Sequence, residues 1–449
     1  MDLFDDEELF KEQKKKVKRN SVIIISCIVV AIILIIGIVV AMMYFQSLEW
    51  GITVDGIGMP LKETTIITDE QTGKIFVSVS DIAPRVKGYQ YLNGEYGQNT
   101  ENPNSGVVQC ADEVVEIKAN ENKINKILLK EDTKDNEYGY MYLSEKIKYA
   151  NGQLYAYVED LQTLLNAKVN YNQATNKIVL AGTEFLYEQY QTKIASLGYN
   201  SVDSNFVNKK ALASDMIVAK KENGLIGIIR PDGQEIAGAR YESVQWLETT
   251  DEFLVESNDK YGIISELGQS KISMNYDSIK LLDKNAGLYI VKSSDKYGVI
   301  NNKGEEVVTP SYQEYIVIPN NKKDIFLCTY DVDYAKNTYK TKALNSKNKE
   351  IFTEYENIEP IANYDVNNVI SYEQNAIKVQ KNGKYGMIDI EGKEILPCEY
   401  DELYSLKNTD NSILVKKDEK IGLVDSTGKV IIQPEYKTIV GIGTDYKLG

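Results

Sequence analysis

No histidine occurs among the 449 residues, and that absence decides most of the available chemistry. Ser-His-Asp and Cys-His nucleophiles, histidine-ligated zinc and haem, and the commonest general base are excluded. A carboxylate pair of glycosidase type or a Ser-Lys arrangement is what remains. With 66 acidic residues some pair falls at a workable separation by chance, so a carboxylate pair has little specificity and a non-enzyme is expected. Asp331-Val332-Asp333-Tyr334-Ala335-Lys336-Asn337 has acidic residues two apart but lacks the central Gly and distal Glu of an EF-hand loop. It reads as a loop, and no metal or cofactor is expected. Tyrosine is the unusual residue, at 32 against 9 Phe and 2 Trp. Its rigid, flat, hydrogen-bonding side chain suits binding more than catalysis. Most of the tyrosines that recur should pack between units with the hydroxyl at the rim. Any binding surface is expected in inter-unit loops and in the irregular stretch Ile318 to Tyr339, because loops on a repeat scaffold are where function varies.

The elements that would position such a surface are repeated. One phrase centres on Gly227, Gly262, Gly298, Gly386 and Gly422. A second glycine follows six residues later in each copy, at Gly233, Gly268, Gly304, Gly392 and Gly428. A tyrosine follows fourteen residues after the first glycine, at Tyr241, Tyr276, Tyr312, Tyr400 and Tyr436. Two offsets held across these copies define a repeat array. The second glycine sits in a polar turn that calls for positive φ. Apolar runs on either side read as short strands, and Pro310, Pro397 and Pro434 read as strand ends. Between Gly298 and Gly386 a worn unit survives at Ala343 to Phe352, with Asn348 in place of the turn glycine. That makes six units of four short strands, each unable to bury its own apolar face. The run Met216-Ile217-Val218 has no counterpart after Tyr436 and is expected to serve the last unit, closing a ring. The expected fold of residues 214–449 is therefore a β-propeller-like array, with a linear β-solenoid as the alternative. The wording resembles the WG repeat, a bacterial family named for a Trp-Gly pair at the first-glycine position. Here the residue before the glycine is Tyr261, Tyr297 and Tyr385 in three units and Ile226 and Ile421 in two. The resemblance covers about residues 215 to 440 and implies a repeat fold without a particular activity.

Upstream lies a different composition. Ser21 to Phe45 is apolar and uncharged, long enough to cross a bilayer as a helix. Lys14-Lys15-Lys16-Val17-Lys18-Arg19 precedes it, so residues 1–20 are expected to be a cytoplasmic tail, residues 21–45 a transmembrane signal anchor, and the rest extracytoplasmic. A cleaved signal peptide would have a shorter apolar core and a small-residue cleavage motif. Ile24-Ile25-Ser26-Cys27 sits too early in the run for a lipoprotein cleavage box. Net charge is −15, which argues against nucleic acid and anionic lipid as partners. Cys110, Cys328 and Cys398 allow one disulfide at most and suggest no metal cluster.

Residues 50–182 carry an internal duplication: Gly152 to Leu161 echoes Gly73 to Ile82. In each copy an alternating strand runs into a short helix opened by an acidic residue. A polar insert, Asn93 to Ser105, reads as a loop. The pattern resembles the copper amine oxidase N-terminal-like domain, a small α+β stalk, and implies a spacer; a chain without histidine cannot supply an oxidase's copper ligands. Residues 183–213 read as a helix over Glu184 to Ile194 followed by a polar linker from Ser201 to Lys210.

Together these readings predict a mainly β, membrane-anchored, extracytoplasmic scaffold of the bacterial cell envelope, a repeat module presented on a stalk. Its partner would be an envelope protein, a peptide or a wall polymer. The alternative is a wall-active hydrolase with a carboxylate pair, and a third reading is a regulator acting through a membrane partner.

Overall fold

The computed structural model describes residues 50–97, 102–131, 136–320, 322–364, 370–406, 412–442 and 445–449, with short pieces at 14–15 and 32–37. Most of the expected membrane span, Ser21–Phe45, lies outside the described residues; its described part, 32–37, is helical. Among the described residues no helix is long and apolar enough to cross a membrane. The chain forms two compact units, Met1–Leu186 and Tyr187–Gly449.

In the first unit the duplicated segments lie side by side. Strands β1 (Gly51–Val54), β2 (Ile57–Met59), β3 (Ile66–Thr68) and β4 (Ile75–Ser78) lead into helix α1 (Val79–Ile82). Its Ser78 N-cap accepts the Asp81 N–H, satisfying a donor the first turn leaves open. A meander follows, β5 (Gln90–Asn93), β6 (Ser105–Gln109), β7 (Glu113–Lys118), β8 (Lys123–Leu128) and β9 (Glu137–Tyr142). The second copy is β10 (Lys148–Ala150), β11 (Gln153–Tyr157) and α2 (Leu161–Leu165), and the unit closes with β12 (Ala167–Asn172) and β13 (Lys177–Gly182). Strands β4 and β11 pair antiparallel, with Ala156 opposite Val77, in a sheet of order β10-β11-β4-β3. Both helices press Ile82, Leu161 and Leu164 into one buried core. The polar insert connects β5 to β6. Sequence reading missed what surrounds it, a five-stranded antiparallel sheet in chain order. Its strands alternate too weakly to be told from loops: β9 exposes nearly every side chain.

The unit boundary falls within α3 (Thr183–Lys193), and the second unit continues with β14 (Ser201–Val202), α4 (Phe206–Lys209) and β15 (Ile217–Lys220). Ser201 to Lys210 is not a linker. Strand β14 pairs with β15, and Phe206, Asn208 and Lys210 are buried. Asn208 donates to the Val244 carbonyl at 2.7 Å and accepts the Trp246 N–H at 2.9 Å. This polar stretch caps the array: its few apolar residues and one amide cover the first interface.

Six sheets follow. The first is completed by β16 (Ile226–Ile229) and β17 (Glu235–Tyr241). The second contains β18 (Ser243–Leu247), β19 (Glu252–Ser257), β20 (Lys260–Ser265) and β21 (Ser270–Tyr276). The third contains β22 (Ser278–Asp283), β23 (Leu288–Ser293), β24 (Lys296–Asn301) and β25 (Glu306–Tyr312). The fourth, from the worn unit, has three strands, β26 (Phe326–Asp333), β27 (Thr338–Leu344) and β28 (Glu350–Ile351). The fifth starts at β29 (Asn357–Glu359) and, after an accessory hairpin of β30 (Ala362–Tyr364) and β31 (Ile370–Tyr372), continues with β32 (Ala376–Lys381), β33 (Lys384–Asp389) and β34 (Glu394–Tyr400). The sixth is β35 (Glu402–Ser405), β36 (Ile413–Lys417), β37 (Lys420–Val424) and β38 (Val430–Tyr436), and a two-stranded sheet of β39 (Ile439–Ile442) and β40 (Asp445–Leu448) ends the chain.

Each sheet is antiparallel and in chain order, and buried clusters join consecutive sheets. Ile228 and Val255 share one cluster, Ile263 and Val291 the next, Val299 and Phe326 the third, Ala343 and Ile388 the fourth, Met387 and Val415 the fifth. Among the described residues no sheet and no buried cluster joins the sixth unit back to the first, so there is no closed propeller. The run Met216 to Val218 belongs to the first sheet through β15, which pairs with β14 and β16 and does not complete the last unit. Two-strand pairing within its own sheet already satisfies its backbone, so nothing is left to close a ring.

Candidate binding surfaces on the repeat array

The first glycine of each copy lies inside a strand, opposite a bulge. In the third sheet Tyr297 pairs with Tyr312 and Val299 with Val308, so Gly298 alone faces Thr309, Pro310 and Ser311. A Cβ on Gly298 would stand 2.6 Å from the Val308 carbonyl, and one on Gly386 2.5 Å from that of Leu396. Gly227, Gly262 and Gly422 are enclosed the same way, by the carbonyls of Ala237, Ile272 and Ile432. The prolines therefore do not end strands: Pro310, Pro397 and Pro434 ride in the bulge, where residues have no ladder partner and a missing N–H costs nothing. The fourteen-residue offset is the span of that bulged hairpin. Each recurrent tyrosine pairs with the residue before the first glycine: Tyr241 with Ile226, Tyr276 with Tyr261, Tyr312 with Tyr297, Tyr400 with Tyr385, Tyr436 with Ile421.

The second glycines all adopt left-handed backbone, with φ of 90° at Gly233, 76° at Gly268, 78° at Gly304, 87° at Gly392 and 84° at Gly428; Asn348 takes 56°. Each turn lies on the preceding structure. Gly268 meets the Ile236 carbonyl, Gly428 the Ile395 carbonyl, Gly392 the Phe352 ring, and Gly233 the Leu197 side chain. Asn348 donates to Thr309 Oγ1 at 3.3 Å. In the worn unit Lys342 stands where the first glycine would be, and β28 stops after two residues. Without a glycine there is no seat for the bulge.

Sequence reading missed a second regularity. A two-residue hairpin with both φ positive precedes the first glycine: Asn258-Asp259, Ser294-Asp295, Asn382-Gly383 and Asp418-Glu419. A carboxylate just after the tyrosine that ends the preceding unit closes it, at Glu242, Asp277, Glu356 and Asp401. Asp277 accepts the Ser294 N–H at 2.7 Å and Lys260 Nζ at 2.5 Å. Asp401 accepts the Asp418 N–H at 3.0 Å and Lys384. Glu356 and Glu242 do the same for Asn382 and Asn258. The lysine hydrogen bonds hold the Asp277 and Asp401 carboxyls below the usual carboxylate range. The signal, an acidic residue fifteen after the first glycine at Glu242, Asp277 and Asp401, was present but reads as an ordinary solvated charge.

The stretch Ile318 to Tyr339 splits in two. Its second half is the β26–β27 hairpin. Asp333 caps its tip by accepting the Ala335 and Lys336 N–H groups, and Asp331 pairs with Lys340 at 3.0 Å. Among the described residues no group of three or more acidic or cysteine side chains is placed to hold a metal ion. The first half borders a cleft of about 300 Å³ between the third and fourth sheets. Leu288, Val307, Ile318 and Phe326 form its apolar floor, and Asp283, Lys322, Lys323 and Asp324 its rim. Asp324 is held by the Ser346 N–H and hydroxyl, and Lys323 by Glu391. Among the described residues Lys322 makes no ion pair, leaving a cation at the lip of an apolar floor. A second cleft of about 330 Å³ between the fifth and sixth sheets is bordered by Ile361, Leu403 and Lys378, whose ammonium pairs with Glu359 at 2.7 Å. The three cysteines Cys110, Cys328 and Cys398 are free thiols.

A family model described as the WG containing repeat matches residues 297–321, 385–420 and 421–442. These lie in the third, fifth and sixth units, where Tyr297, Tyr385 and Ile421 precede the glycine. No curated protein matches the chain in sequence. Solved structures that align with it include a eukaryotic initiation factor, at 10% identity over 85% of this chain and 94% of that one, with a TM-score of 0.29. The Kluyvelomyces marxianus Hsv2 structure aligns at 6% identity over 74% of this chain and 94% of its own, with a TM-score of 0.23. The AfRom2 CNH domain aligns at 12% identity over 52% and 86%, with a TM-score of 0.19.

Proposed function

We propose that this chain is a non-enzymatic, single-pass binding scaffold of the bacterial cell envelope, with residues 1–20 cytoplasmic and the stacked sheets presented outside the cell. The apolar run Ser21 to Phe45 behind a lysine-rich flank supports the anchor. Residues 50–182, with their paired duplicate strands and their resemblance to the stalk family, would serve as the spacer.

The observation that carries the binding reading is the cleft between the third and fourth sheets. It combines an apolar floor with a rim of both charges, and it falls in the least regular part of an otherwise repetitive surface. Such a lining suits an extended peptide segment with one apolar side chain to bury and polar neighbours to pair, and suits a wall polymer poorly.

The test is capture by the full chain in nanodiscs of peptides and proteins from purified envelope, compared with Lys322→Glu/Lys323→Glu. Loss of capture in the variant supports the proposal. Equal capture by both removes the cleft, and release of soluble sugar or peptide from purified wall by the wild-type chain replaces the scaffold with a hydrolase.

A further inference from the structure

The meander of the first unit has an unprotected edge. Strand β9 is outermost in the order β5-β6-β7-β8-β9 and, among the described residues, pairs only with β8. An outer strand offers a row of open N–H and C=O groups, which proteins blunt by brevity, lysine, proline or a bulge. The unit's other edges are blunted: β2, β3 and β10 run three residues each, β5 four, and β12 carries Lys168, Asn170 and Asn172. Strand β9, Glu137-Tyr138-Gly139-Tyr140-Met141-Tyr142, has six residues, no lysine, no proline and an unbroken register.

Two contacts fix its hydrogen-bond phase. Leu143 donates to the Asn122 carbonyl at 2.7 Å, and Leu129 donates to the Asp112 carbonyl at 2.8 Å. By the alternation of an antiparallel ladder, Glu137, Gly139 and Met141 bond to β8, and the main-chain groups of Tyr138, Tyr140 and Tyr142 point away from the sheet. The three tyrosines share one face and are 41%, 60% and 64% exposed. Gly139 between them is the odd residue. Its φ is not left-handed, and a Cβ there would meet no atom within 4 Å. Glycine inside a strand weakens it, and neither torsion nor crowding within the chain calls for one here; close approach of another backbone does.

We propose that β9 pairs antiparallel with β9 of a second copy, about a two-fold axis centred on Tyr140. The strand is self-complementary in that register. Tyr140 exchanges two hydrogen bonds with its own counterpart, and Tyr138 does so with Tyr142. Gly139 and Met141 fall opposite each other at the close, non-hydrogen-bonded positions, so each methionine lies beside a glycine where a larger side chain would crowd it. Glu137 comes opposite Leu143, so like charges do not meet even though the chain is acidic. An extended peptide would also find the open backbone, but the matched glycine and methionine are what the strand's own copy supplies. Pairing through one strand covers less than the about 1,200 Å² of a stable interface, so the dimer is reversible. The inference is independent of the membrane anchor and of the cleft.

The test follows the full chain in detergent micelles by sedimentation equilibrium, and concentration-dependent dimers are expected. Gly139→Val should weaken them at least about tenfold by crowding Met141. The same change should leave the monomer's melting temperature unchanged or raised, because valine suits a strand better. Tyr140→Lys, which sets two ammonium groups on the axis, should also weaken the dimer at least about tenfold. With the four native cysteines replaced by alanine, Tyr140→Cys should form an intermolecular disulfide, since paired Cα atoms about 5.5 Å apart suit one. Tyr138→Cys and Tyr142→Cys should form it only when the two chains are mixed. A monomer at every concentration, dimers indifferent to both Gly139→Val and Tyr140→Lys, or equal disulfide formation by all three cysteine variants alone overturns the proposal. Capture of extended peptides at β9 without self-association assigns the edge to another partner and overturns it equally.

Discussion

At the scale of single residues, the two glycine classes are constrained by different physics, and substitutions separate them. At Gly304 the left-handed backbone is the main obstacle, since the nearest outside atom to a Cβ is 3.5 Å away. Gly304→Asn should cost under about 1 kcal/mol, and Gly304→Val about 1–2 kcal/mol. At Gly428 the Ile395 carbonyl occupies the Cβ position, so Asn brings no relief and both changes should cost about 1–3 kcal/mol more. Urea melts of the four variants check this. Among the cysteines, burial pushes the Cys328 thiol up to about 12, so it should resist alkylation at pH 8 in the native chain and label fully in denaturant. Peptide mapping after iodoacetamide treatment reads this directly. The glycine and tyrosine positions could be read from sequence because a turn and a bulge tolerate almost no other residue. The capping carboxylates Asp277 and Asp401 could not, because an acid on an acidic surface has no distinguishing pattern. Neither could the cleft, whose floor joins Leu288 to Phe326 across two sheets.

At the scale of elements, the tight hairpins leave stability unused. Asp418 and Glu419 hold φ of 50° and 61° in a turn that Asn-Gly fits with least strain, as Asn382-Gly383 does in the fifth sheet. Glu419→Gly should raise stability by about 0.4–1 kcal/mol, measured as a shift in the urea midpoint. In the first unit the meander holds a buried pair, Glu113 and Lys126 at 3.5 Å, and Asn166 ties it to the neighbouring elements by donating to Glu113 at 2.8 Å. Lys126→Met alone removes the cation beside a buried carboxylate and should cost about 3–5 kcal/mol. Glu113→Gln with Lys126→Met should recover much of that loss, and a double-mutant cycle in urea decides it. That sheet escaped sequence reading because its buried residues divide between two faces, Val107, Val114 and Ile127 in a small cluster and Val108, Val115, Ile117 and Ile124 in the main core, which blurs the alternation.

For the whole molecule, the expected ring gave way to an open run of sheets because β15 was already committed to its own sheet. The repeat told the number of units and hid their ends, where β14, α4 and β40 depart from the phrase. Acid should loosen the array. Asp277 and Asp401 have folded pKa values below the ordinary 3.8, through Lys260 and Lys384 respectively. The unfolded chain therefore takes up these protons first as pH falls. Their contribution is complete above about pH 4 and is lost as pH drops through the lowered values. Asp277→Asn/Asp401→Asn should flatten the decline of melting temperature from about pH 5 to about pH 2.5.

Every turn in the array leans backward onto what precedes it, from Gly233 on Leu197 to Gly428 on Ile395. A polypeptide emerging amino end first therefore always finds its next foothold already in place, and no sheet has to wait for distant sequence. Assembly in that direction needs only short loop closures, and partly synthesised chains can stand as ordered stumps.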